Sequence, residues 1–262
     1  MSHRSAAFKL LGRRLLHGGL VLSLRLRSRT LRPAEDHRYA VIAPHPDDEA
    51  LGCGGMIATA CSAGAAVDVI FLTDGSAALP DHPEITPSQL SGVRAAEARA
   101  ALAALGMTPG HAHFLGAPDS RLAHLVAAEQ AHFVSALARL FALLRPDHVL
   151  LPWRHDGSSE HEAAFRLTVA ALRTAVPAPR LLEYPVWAWW SPRYLARFAM
   201  TSQPIGRLPI GTVRALKTKA VNEFRSQIHP VPPWTRTALP EGFTQLFLGT
   251  SEYFVVSSRW TP

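Results

Sequence analysis

Between Tyr39 and Trp187, short and almost wholly apolar runs alternate with longer stretches of helical spacing. "YAVIA" (39–43), "VDVIFLT" (67–73), "HAHFLG" (111–116), "HVLLP" (148–152) and "RLLEYPVW" (180–187) read as strands. Their near-continuous hydrophobicity suits strands covered on both faces. The intervening stretches read as helices. "EALGCGGMIATACSAG" ends near Gly64, "SGVRAAEARAALAALG" closes at Gly106, "LVAAEQAHFVSALARLFALLR" stops before Pro146, and "EHEAAFRLTVAALRTAV" stops before Pro177. This order predicts an α/β fold, a Rossmann-like doubly wound and mostly parallel sheet. After Trp187 the pattern changes. "WAWWSP" and the Pro-rich 204–233 stretch predict loops or short antiparallel pieces, "GTVRALKTKAVNEFRSQ" one more helix, and "SEYFVVSSRW" a closing strand. The C-terminal region is therefore expected to elaborate one domain.

The chain is 48% hydrophobic and 18% charged, enough apolar matter for a large core. Its net charge of +7 is unevenly spread: residues 1–32 hold eight Lys/Arg and no acid. The other 19 bases meet all 20 acids, so residues 33–262 sum to −1. We read a basic N-terminal arm over 1–38 and one domain over 39–262. No nucleic-acid-binding pattern accompanies the basic charge, so no nucleic-acid partner is expected.

The arm alternates apolar and basic residues, and its longest uncharged stretch is far below the ~18 apolar residues that a spanning helix needs. No small-residue cleavage site follows, so a secretory signal is not expected. A flexible or core-docked leader, a cleaved targeting segment, and an interfacial helix drawn to anionic lipid as a peripheral membrane contact all remain open. Cys53 and Cys61 are the only cysteines, which fits two small thiols in a reducing, cytoplasmic compartment and excludes a cysteine-rich zinc site.

In a doubly wound sheet, ligands bind beyond the carboxyl ends of the strands. "PHPDDE" (44–49) follows the first strand there, and "WRHDGSSEHE" (153–162) follows the "HVLLP" strand. His45 and Asp48 lie three apart with Pro46 fixing the backbone between them. His161, at the start of the next helix, is placed to supply a third ligand. Two imidazoles and one carboxylate with open positions left over make a catalytic zinc arrangement, and Fe2+ or another divalent metal would suit the same donors. Asp47, beside a ligand, is expected to serve as general base on bound water. Glu49 suits the positive end of the helix that follows.

With these residues in view, the chain resembles the LmbE-like, or PIG-L, family of zinc-dependent deacetylases. "PHPDDEALGCGG" is similar to that family's signature. "VRAAEARAALAALG" (93–106), "FLGAPDSRL" (114–122), "RHDGSSEHEAA" (154–164) and "KAVNEFRSQ" (219–227) resemble its later segments, in the expected order. The resemblance implies removal of an acetyl group from an N-acetylated amino sugar or glycoconjugate, releasing acetate and a free amine. It implies His45, Asp48 and His161 as metal ligands, Asp47 as base, and Arg94 facing the substrate.

One departure stands out. The family's second segment usually reads His-Pro-Asp-His, and here it reads Ser158-Ser159-Glu160-His161. The histidine assigned to the oxyanion and to proton delivery is replaced by Ser158. Either Ser158 donates to the oxyanion, or His155 swings in, or turnover is reduced; losing such a donor typically costs on the order of 10²–10³ in rate. Asp156 is placed to orient a ligand, and His82 to meet substrate at the mouth of the site. "WAWW" (187–190) reads as core or as a platform for a sugar face. Two other readings compete with the enzyme. One is a metal-binding but catalytically weak protein that holds a glycan or a lipid carrier. The other is a nucleotide-binding module, which fails because Ile57 stands where the last glycine of the phosphate-binding series belongs.

Overall fold

The computed structural model describes residues 17–174 and 177–257. In chain order they form helix α1 (17–27), β1 (Arg29–Thr30), β2 (Arg38–Ala43), α2 (Asp48–Ser62), β3 (Ala66–Thr73), α3 (Pro87–Ala104), β4 (Ala112–Ala117) and α4 (Ala127–Leu144). Then come β5 (His148–Pro152), α5 (Ser159–Ala171), β6 (Arg180–Tyr184), α6 (Trp187–Trp190), α7 (Pro192–Ala199), β7 (Ile205–Pro209), α8 (Arg214–Glu223), α9 (Arg225–Ile228) and β8 (Ser251–Val256). One eight-stranded sheet runs β1-β7-β8-β6-β5-β2-β3-β4. The β6-β5-β2-β3-β4 run is parallel throughout, while β8 pairs antiparallel with both β6 and β7.

The period of two along β2 divides the core. Tyr39, Val41 and Ala43 face the α2 side, whereas Ala40 and Ile42 face the layer of α4 and α5. Helix α3 starts where its sequence dictates: Thr86 and Gln89 form a capping box, with Pro87 next in line. Helix α4 stops at Arg145, in the left-handed region at φ 47°, just before Pro146. Helix α2 lies flush on the sheet because a Cβ at Gly52 would run into the Tyr184 ring, and one at Gly55 would come within 2.9 Å of Glu252 Oε1.

The C-terminal third differs in detail from the sequence expectation. "WAWW" is the short helix α6 and not a loop, and the helix expected over 211–227 breaks at Phe224 into α8 and α9. The expected closing strand ends at Val256; residues 258–260 of that stretch lie outside the described residues. Part of the basic arm also joins the body. Leu24 of α1 is fully buried among Trp153, Phe198 and Ile205. Strand β1 pairs with β7, and Leu31 N–H donates to the Arg207 carbonyl at 2.8 Å. No helix among the described residues is long and apolar enough to cross a membrane.

Candidate metal centre

Strand β2 has β3 on one side and β5 on the other, so the chain switches direction of winding between β2 and β5. A doubly wound sheet opens its crevice at such a point. His45 leaves β2 there, and His161 sits on the first turn of α5 after β5. The expected trio meets: one donor atom each from His45, Asp48 and His161 lies within 4.8 Å of the others. His45 Nδ1 is 3.2 Å from Asp48 Oδ2, and His161 Nε2 is 3.3 Å from the same oxygen. Among the described residues, buried His161 Nε2 has no hydrogen-bond partner. An unsatisfied imidazole nitrogen facing a carboxylate oxygen is the donor set a divalent ion fits, and three protein ligands leave room for water or substrate.

Each ring is also held from behind. His161 Nδ1 is 2.8 Å from Asp156 Oδ2, and Asp156 is itself fixed by amides of Val186, Trp187 and Ala188 at 2.9–3.0 Å. His45 Nε2 is 3.2 Å from Asp119 Oδ1 and 3.9 Å from Glu160 Oε2. The electrostatics follow. Burial pulls the His45 imidazolium down, but Asp119 and Asp48 outweigh it and lift the group to about 10. Burial likewise opposes His161, and Asp48 and Asp156 raise it to about 9. Burial pushes Asp48 up, yet the His161 and His45 rings hold it well below the usual carboxylate range. The cluster thus favours positive charge at its centre.

Asp47 stands apart from the ligands. Its backbone adopts φ 134°, a region that L residues rarely occupy and a form of strain found at working sites. Glu49 Oε2 accepts its N–H at 3.0 Å, and the carboxylate lies 3.3 Å from Arg94 Nη2. Buried Arg94 also donates to the Pro46 carbonyl, passing close over Gly75, whose φ of 66° brings that backbone near the guanidinium. Burial raises Asp47 to about 7, with Arg94 pulling downward and Asp48 pushing upward. A group poised there can take and release a proton near neutral pH.

His45, Asp47, Asp48 and Arg94 line a cleft of about 200 Å³, together with Asp119, Trp187, Gln227 and Phe243. Arg94 is at the cleft as expected, though its hydrogen bond grips the His45–Asp48 loop. Three of the expected site residues make other contacts. Ser158 is the N-cap of α5, its Oγ accepting from His161 N–H at 3.5 Å. His155 packs edge-on against Trp153, 5.5 Å between centroids, and does not line the cleft; burial and Arg197 hold its imidazole low. His82 braces its own loop, its Nδ1 accepting from Glu84 and Ile85 N–H while its ring sits 5.3 Å from Trp234, and it too is absent from the cleft wall. Asp119 enters the sequence reading only within "FLGAPDSRL", and Glu160 only as the residue in place of the family's Asp; neither is expected there to face His45. Glu160 accepts from Leu122 and Ala123 N–H at 3.3 and 3.1 Å and so ties the Asp119 loop to α5.

Comparison with known proteins agrees with this geometry. Residues 40–172 match the model of the PIG-L family, described as GlcNAc-PI de-N-acetylase. The chain belongs to the PIG-L family. It is 32% identical over 258 residues to the 1D-myo-inositol 2-acetamido-2-deoxy-alpha-D-glucopyranoside deacetylase of Nakamurella multipartita, covering 85% of this chain and 84% of that one. The protein of the same name from Mycobacterium sp. (strain KMS) is 36% identical over 159 residues, 53% of this chain. That second match spans only 51% of the relative's own length. Among solved structures, the N,N'-diacetylchitobiose deacetylase of Pyrococcus horikoshii superposes with a TM-score of 0.62 at 19% identity, covering 95% of this chain and 92% of that one. This last likeness speaks for the fold alone.

Proposed function

We propose that this PIG-L family member is a metal-dependent amidohydrolase that removes the acetyl group from an N-acetylated amino sugar or glycoconjugate. The observation that carries the reading is the convergence of His45, Asp48 and His161 beside a buried carboxylate, Asp47. The names of its relatives, sugar deacetylases, support the substrate class. His45, Asp48 and His161 would hold the ion, with zinc and Fe2+ both suited to the donors. When bound, such an ion polarises the amide carbonyl and acidifies a water molecule.

The chain's own residues do the rest. Asp47 takes the proton of the attacking water and is placed to return it to the departing amine. Arg94 holds the loop that carries Asp47. Trp187, 4.9 Å from Phe243 between ring centroids, gives the cleft an apolar wall for one face of a sugar ring. Among the described residues the cleft wall carries no imidazole besides His45, which leaves proton return to Asp47 in this reading. The two free cysteines suit work in a reducing, cytoplasmic compartment.

Amine release from N-acetylglucosaminides tests the reading. Zinc- or iron-loaded protein should release amine and acetate, and chelator-stripped protein should not. Asp47→Asn should keep its metal while losing about 10²–10⁴ in turnover. Undiminished release by stripped protein or by the Asp47→Asn variant would refute it. Bound metal with no release under any divalent ion would instead favour a glycan- or lipid-carrier-binding role, the second reading that Ser158 motivates.

A further inference from the structure

Helix α1 has two faces. Leu20, Val21 and Leu24 turn inward, whereas Leu22 and Leu26 are 56% and 77% exposed, with Arg25 exposed on the same side; Arg29 of β1, just beyond the helix, is exposed as well. Arg27 donates to the Ala199 carbonyl and, at 2.7 Å, to that of Thr201, so it straddles Met200 and brings the end of α7 beside α1. Met200 is 76% exposed there, and Arg193 and Arg197 of α7 are also exposed. The Lys/Arg–carboxylate pairs among the described residues are Arg38–Asp147, Arg94–Asp47, Arg154–Glu183 and Lys217–Glu252. None engages Arg25, Arg27, Arg29 or Arg32. This face thus presents large apolar tips among unpaired cations, within a 32-residue segment that holds eight bases and no acid.

We propose that the outer face of α1, with the tip of α7, is a docking surface for an anionic lipid bilayer. Charge complementarity selects the partner: guanidiniums meet the phosphates of the headgroup layer while Leu22, Leu26 and Met200 enter the boundary between headgroups and acyl chains. A nucleic acid fits less well, since exposed leucines offer its phosphates nothing. The contact is peripheral and reversible, because a few apolar side chains and a basic patch hold a protein at a membrane without anchoring it. It is independent of the reaction proposed above.

The test is co-sedimentation of the full chain with vesicles of phosphatidylcholine alone and of phosphatidylcholine with phosphatidylglycerol. We expect binding to the anionic vesicles only, weakened by salt. The double variants Leu22→Ser/Leu26→Ser and Arg25→Glu/Arg29→Glu should each weaken it by about tenfold or more with circular dichroism and melting temperature unchanged. Equal binding to both vesicle types, no binding to either, or full binding by both variants would overturn the proposal. So would a dimer that Leu22→Ser/Leu26→Ser converts to monomer, or tight binding to duplex DNA that the serine variant keeps.

Discussion

At the candidate metal centre the charged side chains are buried and matched, whereas on the outer side of α1 and β1 they are exposed and, among the described residues, meet no carboxylate. Asp48, His161 and Asp156 are at most 3% exposed, and each meets an opposite partner. Arg25 and Arg29 face solvent with none. The first arrangement fixes geometry: a buried ionisable group without its partner is costly, so the surroundings admit only one arrangement. The second leaves geometry free and contributes only a field. One sheet therefore carries a site built for chemistry at its centre and a surface suited to association at its edge.

The largest effect that would break this contrast is expected at the centre. His161→Ala should drop metal content, read by elemental analysis, from about one ion per chain to none, and turnover with it. Retained stoichiometric metal would move the site elsewhere. Next comes Lys217→Met. Lys217 Nζ donates to Leu51 O at 2.7 Å and to Glu252 at 2.6 Å, while Glu252 accepts from the amides of Gly55 and Met56 in α2. Leaving Glu252 buried and unpaired should cost about 3–5 kcal/mol in urea denaturation. Asp156→Asn should keep the fold and weaken metal affinity by about 10–100-fold in a competition titration with a chromogenic chelator. The smallest effect belongs to the edge: Arg25→Ser with Arg29→Ser should change unfolding free energy by no more than about 0.5 kcal/mol. A loss there as large as that at Lys217 would erase the distinction between the two regions.

The parallel half was legible because its signals are local. The apolar runs of β2 and β5, the glycines of α2, and His45 and Asp48 within four residues can all be read in short windows. The antiparallel half was not, because its pairing is remote: Ile205 of β7 faces Val255 of β8, and nothing in "PIGRLPI" announces a partner so far along the chain. Leu24 is buried only because Trp153 and Phe198 arrive from elsewhere. In the site itself, "FLGAPDSRL", with Asp119, reads only as a segment and Glu160 only as the residue in place of the family's Asp, with no contact to His45 assigned to either. Their closeness to His45 depends on how the loop after β4 meets α5. Ser158 has a further part that the sequence reading did not give it, as the cap of α5.

Helix α2 is wedged between the Tyr184 ring at Gly52 and the Lys217–Glu252 pair behind it. It cannot slide along its own axis, so the register of Asp48 against His161 is set by the interior of the protein. The walls of the cleft come from other places, with Ala77 and Ala78 in one surface loop and Ala238, Leu239 and Phe243 in another. Insertions or exchanges in those two loops can reshape what the cleft admits without disturbing the spacing of the donors. The spacing of the donors and the shape of the opening above them thus answer to separate stretches of the chain.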